Sequence, residues 1–289
     1  MSERSRSNGG GRATLRRSNG NGGGQETTAA VWAAITGLSI GEAWLRRDEP
    51  KAPEVVARYQ SAITQLDRGV PFAYAVGSVG FRTLDLTIDP RALIPRPETE
   101  GLVELVLRAM GKRETGNRKR GLVADIGMGS GCIALSLAVE GNFEKVVAVE
   151  QSPGAAELAR ENVKRVAPRT PVEIRAGNLL APLMDKVERY RAIVSNPPYL
   201  TTQEFEELDR SVRDFEPRDA LVSGVDGLDA TRTLFAGAKL LLEPGGLLAL
   251  EIDERRADAV RALGREHGWT VEIHADLFGC PRYALAKEA

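Results

Sequence analysis

Asn196, Pro197, Pro198 and Tyr199 close the short apolar run "AIVS", and their types in that order suit chemistry on a planar NH2 group. Proline has no backbone N–H and a fixed φ, so the pair forces the chain out of a central strand. The Asn196 side-chain oxygen and the Pro197 backbone carbonyl then offer two acceptors, matching the two protons of one NH2 group. An amide or aromatic amine nitrogen is a poor nucleophile because its lone pair is delocalised. Holding both its protons aims that lone pair at an electrophile, and the bonds strengthen as positive charge develops on the nitrogen. Tyr199 has the shape to lie flat against the group being modified. In isolation the same four residues also make an ordinary strand terminus with a surface tyrosine, so their neighbours in the fold must decide.

A second group of residues lies in "VADIGMGSGC", with Asp125, Gly127, Gly129 and Gly131. Glycines there let a strand turn sharply into a helix and let a ligand approach the backbone closely. Glu150, at the end of the next apolar run, can accept hydrogen bonds from both hydroxyls of a ribose. Asn178, in "RAGNLL", can bond the edge of an adenine while Leu179 covers its face. Gly129, Gly131 and Ala134 also fit the G-x-G-x-x-G/A pattern of a nicotinamide dinucleotide site, so this stretch alone leaves a dehydrogenase open. Asp125 leans the other way, because a carboxylate at a strand end meets an amine, or holds the loop. S-adenosylmethionine (SAM) carries such an amine, whereas a dinucleotide places pyrophosphate there. No metal is called for, since a sulfonium is already an activated donor.

These residues need a scaffold, and the rest of the chain spells one. From residue 97 onward, helical and strand patterns alternate, with strands expected at "LVADIG", "KVVAVE", "VEIRAG", "RAIVSN", "GGLLALEID", "TVEIHAD" and "RYALAKE". Such alternation predicts an α/β fold with a seven-stranded, mainly parallel sheet between helical layers. The link "LFGCP" is too short for a crossover helix, so the last two strands are expected to be antiparallel. Ligands then sit beyond the carboxyl ends of the strands, where every residue named above falls. Before this domain, residues 71–96 read as a β-hairpin linker around Gly77 and Gly80. Residues 26–70 read as a small helical domain for substrate recognition. Residues 1–25 hold seven glycines and five arginines with almost nothing apolar, which predicts a disordered tail.

Composition bounds the rest. A net charge of −1 argues against a broad nucleic-acid or membrane surface. The only cysteines, Cys132 and Cys280, show no metal-ligand spacing and read as free thiols in a reducing compartment. No apolar run reaches the ~18 residues of a membrane span. A cytoplasmic monomer with no stable nucleic-acid binding and no membrane association is expected.

Several stretches together carry a resemblance: "LIPRPETEGLVELVL", "IGMGSGCIALSLA", "NPPY", "FEPRDALVSGVDGLD" and "DLFGCPRYALA". The chain resembles the HemK/PrmC family of class I SAM-dependent methyltransferases, from about Gly69 to its C-terminus. That resemblance implies a Rossmann-like methyltransferase domain, SAM as methyl donor, and transfer to the side-chain nitrogen of glutamine in the Gly-Gly-Gln loop of a peptide-chain release factor. It implies that Gly127, Gly129 and Gly131 line the methionine part of SAM. Asp125, Met128, Ser130 and Asn196 count with them among the cofactor-binding residues. Glu150 is implied at the ribose, Asn178 and Leu179 around the adenine, and Asn196, Pro197, Pro198 and Tyr199 at the substrate glutamine. Arg96, Pro97, Glu98 and Thr99 are implied as a lip over the cofactor. Met128 stands where the family usually has threonine, and Glu150 and Asn178 stand where it usually has aspartate. "NPPY" is shared with adenine-N6 DNA methyltransferases. The alternatives are therefore a methyltransferase for a ribosomal-protein glutamine or a nucleic-acid base, and a binding protein that keeps the fold with weakened SAM binding.

Overall fold

A computed structural model describes residues 23–110 and 121–289, so most of the expected N-terminal tail lies outside the described residues. The chain divides into two compact units, Met1–Ile63 and Thr64–Ala289.

In the first unit, α1 (Gly23–Thr36) and α2 (Ile40–Leu45) are joined by a short turn. Ser39 caps α2 with a reciprocal box: its hydroxyl accepts from the Glu42 amide, and the Glu42 carboxylate accepts from the Ser39 amide. Trp32 stacks on Tyr59 at 4.2 Å between ring centroids, and Ala33, Ala43, Val55 and Val56 pack around them. Tyr59 belongs to α3 (Pro53–Asp67), which begins on a proline, a residue suited to a helix's first turn.

The second unit departs from the expected hairpin at its beginning. The β-prone string "FAYAV" forms a short helix, α4 (Phe72–Val76), and Gly77 ends it in the left-handed region at φ 76°. Gly77 is therefore a helix stop rather than part of a strand. The hairpin itself is shorter, β1 (Ser78–Phe81) against β2 (Leu84–Thr87), and it turns at Arg82. It is bound into the larger unit through the buried Asn162, whose Oδ1 accepts from the Thr87 amide and whose Nδ2 donates to the carbonyls of Thr87 and Ser130.

The main sheet contains β3 (Leu122–Ile126), β4 (Lys145–Glu150), β5 (Val172–Ala176), β6 (Tyr190–Ser195), β7 (Leu242–Glu251), β8 (Trp269–Ala275) and β9 (Pro281–Glu288). Their spatial order is β5-β4-β3-β6-β7-β9-β8, parallel from β5 to β7, with β9 antiparallel to both neighbours. This is the predicted seven-stranded arrangement. Alternate strand residues feed two cores. Val123, Val146, Ala148 and Val194 face one layer with α5 (Thr99–Met110) and α6 (Cys132–Glu140). Ala124, Val147, Val149 and Ile193 face the other layer, with the helices Asp229–Gly237 and Ala257–Glu266. Burial on both faces explains why the central strands read as continuous apolar runs. The chain builds outward from β3 to β5, then returns to add β6 on the other side of β3. That reversal opens a crevice at the carboxyl ends of β3 and β6.

Among the described residues no helix is long and apolar enough to cross a membrane.

Candidate active site

The crevice holds a cavity of about 740 Å³. A volume of this order suits a cofactor-sized ligand. Its floor is the turn after β3. The amides of Gly127 and Met128 both donate to the Val149 carbonyl on β4, at 2.9 and 3.0 Å. Gly127 and Gly129 adopt φ of +72° and +53°, and a Cβ at either would meet nothing within 4 Å. Both glycines line the cavity. The left-handed backbone thus requires glycine here and leaves an open wall.

Beside that wall, Glu150 ends β4 and is itself nearly buried. Its Oε2 accepts from the Gly129 amide at 2.9 Å, and its Oε1 accepts from the Ser152 amide at 2.8 Å. Ser152 caps α7 (Pro153–Val166), so the carboxylate braces the glycine turn and a helix start together. Each oxygen keeps a second lone pair for a ligand hydroxyl. Gly177, Asn178 and Leu179 follow β5 and continue the wall. Gly177 donates to the Glu150 carbonyl at 2.9 Å, and Leu179 sits in the left-handed region at φ 46°. Such a conformation is unusual for leucine and marks a tightly specified turn.

At the end of β6, Ser195 Oγ donates to the Ile126 carbonyl at 2.7 Å, which ties the two strand ends that flank the crevice. Asn196 and Pro198 then reach the cavity wall. Asn196 Nδ2 donates to Thr99 Oγ1 at 3.1 Å.

The structure therefore brings Gly127, Gly129, Glu150, Asn178, Leu179, Asn196 and Pro198 to one cavity. Asp125, Met128, Ser130, Gly131, Pro197 and Tyr199 lie off its lining. Asp125 is fully buried beneath the glycine turn, where its Oδ2 accepts from the Ala134 amide at 2.9 Å and anchors the start of α6. Burial pushes its carboxyl up to about 7. Met128 is a core residue packed among the aliphatic side chains of α5 and α6, because the turn points its side chain inward. Ser130 is buried, and its carbonyl serves Asn162. Gly131 is the residue before α6, and a Cβ there would face Leu135, Ala159 and Met128 rather than open space. Pro197 is buried. Tyr199 packs with Leu93, Leu200, Phe205 and Leu221. Burial pushes its phenol up to about 12, so it stays neutral. Cys132, also buried and pushed up to about 12, has no nucleophilic role at neutral pH.

Two wall segments were not expected as such. Arg91, Ala92 and Leu93 line one side, and the loop from Pro217 to Gly224 lines another. Arg96 to Thr99, the expected lip, instead hold these walls. Arg96 pairs with the buried Glu216 at 2.6 Å, and Thr99 is buried beneath Asn196. A signal was present in the sequence, since "IPRPE" and "FEPRD" each set opposite charges beside a proline. Only the fold reveals that they pair with each other.

A seven-stranded sheet with an antiparallel last pair, a glycine turn after β3 and an acidic residue ending β4 defines the class I methyltransferase architecture. Residues 103–212 match the methyltransferase small domain model. A T. thermophilus 16S rRNA methyltransferase solved with AdoMet and guanosine shares the fold, with a TM-score of 0.50 at 17% identity over 73% of this chain and 50% of that one. The release factor glutamine methyltransferase of Moorella thermoacetica is 42% identical over 77% of this chain and 76% of its own length. That of Geobacter sulfurreducens is 38% identical over 82% of this chain and 80% of its own. This chain belongs to the release factor glutamine methyltransferase family, and it is an enzyme.

Proposed function

We propose that this protein transfers the methyl group of SAM to the side-chain amide nitrogen of a glutamine in a peptide-chain release factor. The observation that carries this reading is the placement of Asn196 on the same cavity wall as Gly127, Gly129 and Glu150. The residues fit the cofactor. Two open glycine positions admit a chain of atoms close to the backbone, Glu150 offers lone pairs to two vicinal hydroxyls, and Asn178 and Leu179 offer a polar edge and an apolar face.

When bound, SAM supplies an electrophilic methyl group on a sulfonium. The chain's own task is alignment and charge stabilisation. With its NH2 group committed to Thr99, Asn196 turns its carbonyl oxygen to the substrate. Pro197 itself lies off the cavity lining, but its backbone carbonyl adjoins Asn196 in the chain, and with the Asn196 oxygen it accepts the two protons of the glutamine NH2, which aims the nitrogen lone pair along the approach to the methyl group. Both bonds strengthen as the nitrogen becomes positive, so they lower the barrier more than they stabilise the bound substrate. Pro198 borders the cavity between these acceptors and the tyrosine that follows.

The test is incubation of the purified protein with labelled SAM and a release factor, with a variant release factor lacking the Gly-Gly-Gln glutamine as control. Label on the natural factor alone is the expected result. Label confined to nucleic acid or to a ribosomal protein overturns the assignment.

A further inference from the structure

Behind Asn196, on the side away from the cavity, lies a carboxylate that the mechanism above does not use. Glu251 is the last residue of β7, and it is 2% exposed. In the parallel pairing of β6 with β7, Ser195 is opposite Leu250, so the next residues, Asn196 and Glu251, are neighbours at the carboxyl ends of the two strands. The Asn196 and Thr99 side chains lie close to the Glu251 carboxylate and favour its ionised form. Thr99 Oγ1 already accepts from Asn196 Nδ2 at 3.1 Å, which leaves its single proton for the carboxylate. Glu251 Oε2 has no hydrogen-bond partner among the described residues.

An ionised carboxylate can only accept, so every group packed against it must present a proton. Turned the other way, the Asn196 amide would set its oxygen against the carboxylate, a repulsion at full strength in a buried site. We propose that Glu251 is a positioning residue: with Thr99 it takes up the donor side of the Asn196 amide and so fixes the carbonyl oxygen toward the substrate. This rests on the reading of Asn196 as the substrate acceptor. An ionised Glu251 next to Asn196 would also favour positive charge developing on a nitrogen held by Asn196.

Burial pushes the Glu251 carboxyl up to about 7. The charged and titratable groups facing it are Arg282 and Tyr283 on β9, Glu98 before α5, Tyr199 after β6 and Cys132 on α6. Arg282 favours the ionised form and Glu98 opposes it. Below neutrality the protonated acid can donate to the Asn196 oxygen and permit the reversed amide. Above it, the amide is locked. The rate of transfer therefore rises as pH increases through about 7.

Glu251→Gln keeps the shape but can both donate and accept, so it no longer selects one orientation. The expected loss in kcat is on the order of 10²-fold, with the release-factor KM and SAM affinity unchanged and the acidic limb abolished. A second readout needs no ligand: the Asn196 side-chain NH2 resonances should titrate with a midpoint near 7 in the natural protein and stay flat in Glu251→Gln. Wild-type kcat and limb in Glu251→Gln, or Asn196 resonances that do not titrate in the natural protein, overturn the proposal. A lowered melting temperature with kcat intact overturns it too, since that is a purely structural role. If the natural protein leaves release factor unlabelled while the Asn196 resonances titrate as described, the orientation stands and only the substrate assignment falls.

Discussion

Arg96 and Glu216, 120 residues apart in the chain, meet at 2.6 Å and join two walls of the cavity. Glu216 is almost wholly buried, and its second oxygen accepts from the Ile94 amide at 3.1 Å. Both carboxylate oxygens are thus spent on the segment that carries Arg91, Ala92 and Leu93 to the cavity. Arg96→Ala leaves Glu216 buried with its charge uncompensated, whereas Glu216→Ala frees a half-exposed arginine to reach water. The first is expected to destabilise more than the second. A double-mutant cycle read by chemical denaturation should return a coupling of about 1–2 kcal/mol.

Glu150 braces the glycine turn through its contact with Gly129 and faces the cavity. In Glu150→Gln one of the two backbone amides confronts an NH2 group, and one ligand acceptor is lost. SAM affinity measured by calorimetry should weaken about 10-fold. Wild-type affinity would mean the carboxylate serves the turn alone.

Gly129→Ala separates backbone strain from occlusion. A Cβ meets no protein atom, but φ +53° costs a residue with a side chain about 1–2 kcal/mol. The methyl group also stands in the open cavity wall. The melting temperature should fall modestly, and SAM affinity should fall by more than that strain accounts for.

Asn196→Ala removes one of the two acceptors from the substrate while sparing Gly127, Gly129 and Glu150. Single-turnover transfer should slow by on the order of 10²-fold, with SAM binding retained.

Asp125 predicts a pH dependence of stability. Its folded carboxyl is raised from 3.8 to about 7 by burial, so folding favours the protonated form. The stability it contributes is fully present below the unfolded value and is lost as pH rises through about 7. Asp125→Asn, which cannot ionise but can still accept from the Ala134 amide, should flatten that fall in urea titrations run at acidic and neutral pH. Glu251 acts in the same direction, so the double variant should be flatter still.

How far the sequence carried the fold depended on whether a signal was local. The seven strands were legible because each is a continuous apolar or alternating run that ends in glycine, asparagine or an acid, and for the central strands burial on both faces makes that run continuous. The helix at Phe72–Val76 was not, because "FAYAV" favours strand by composition while its neighbour Gly77 fits a helix stop and a hairpin equally well.

That Gly127, Gly129, Glu150 and Asn196 meet at one cavity followed from the sequence because each ends a strand or lies in the turn just after one, and strand ends converge in a parallel sheet. Which neighbours of these residues face the ligand was decided only by tertiary structure. Met128 lies between two cavity glycines yet points into the core, since one residue of turn rotates a side chain from one environment to the other. Thr99 and Glu216 come from distant segments, and their partners are Asn196 and Arg96. Hydrogen bonds of that kind act over about 3 Å in space and leave no period or spacing in the chain, so only the folded backbone assigns them.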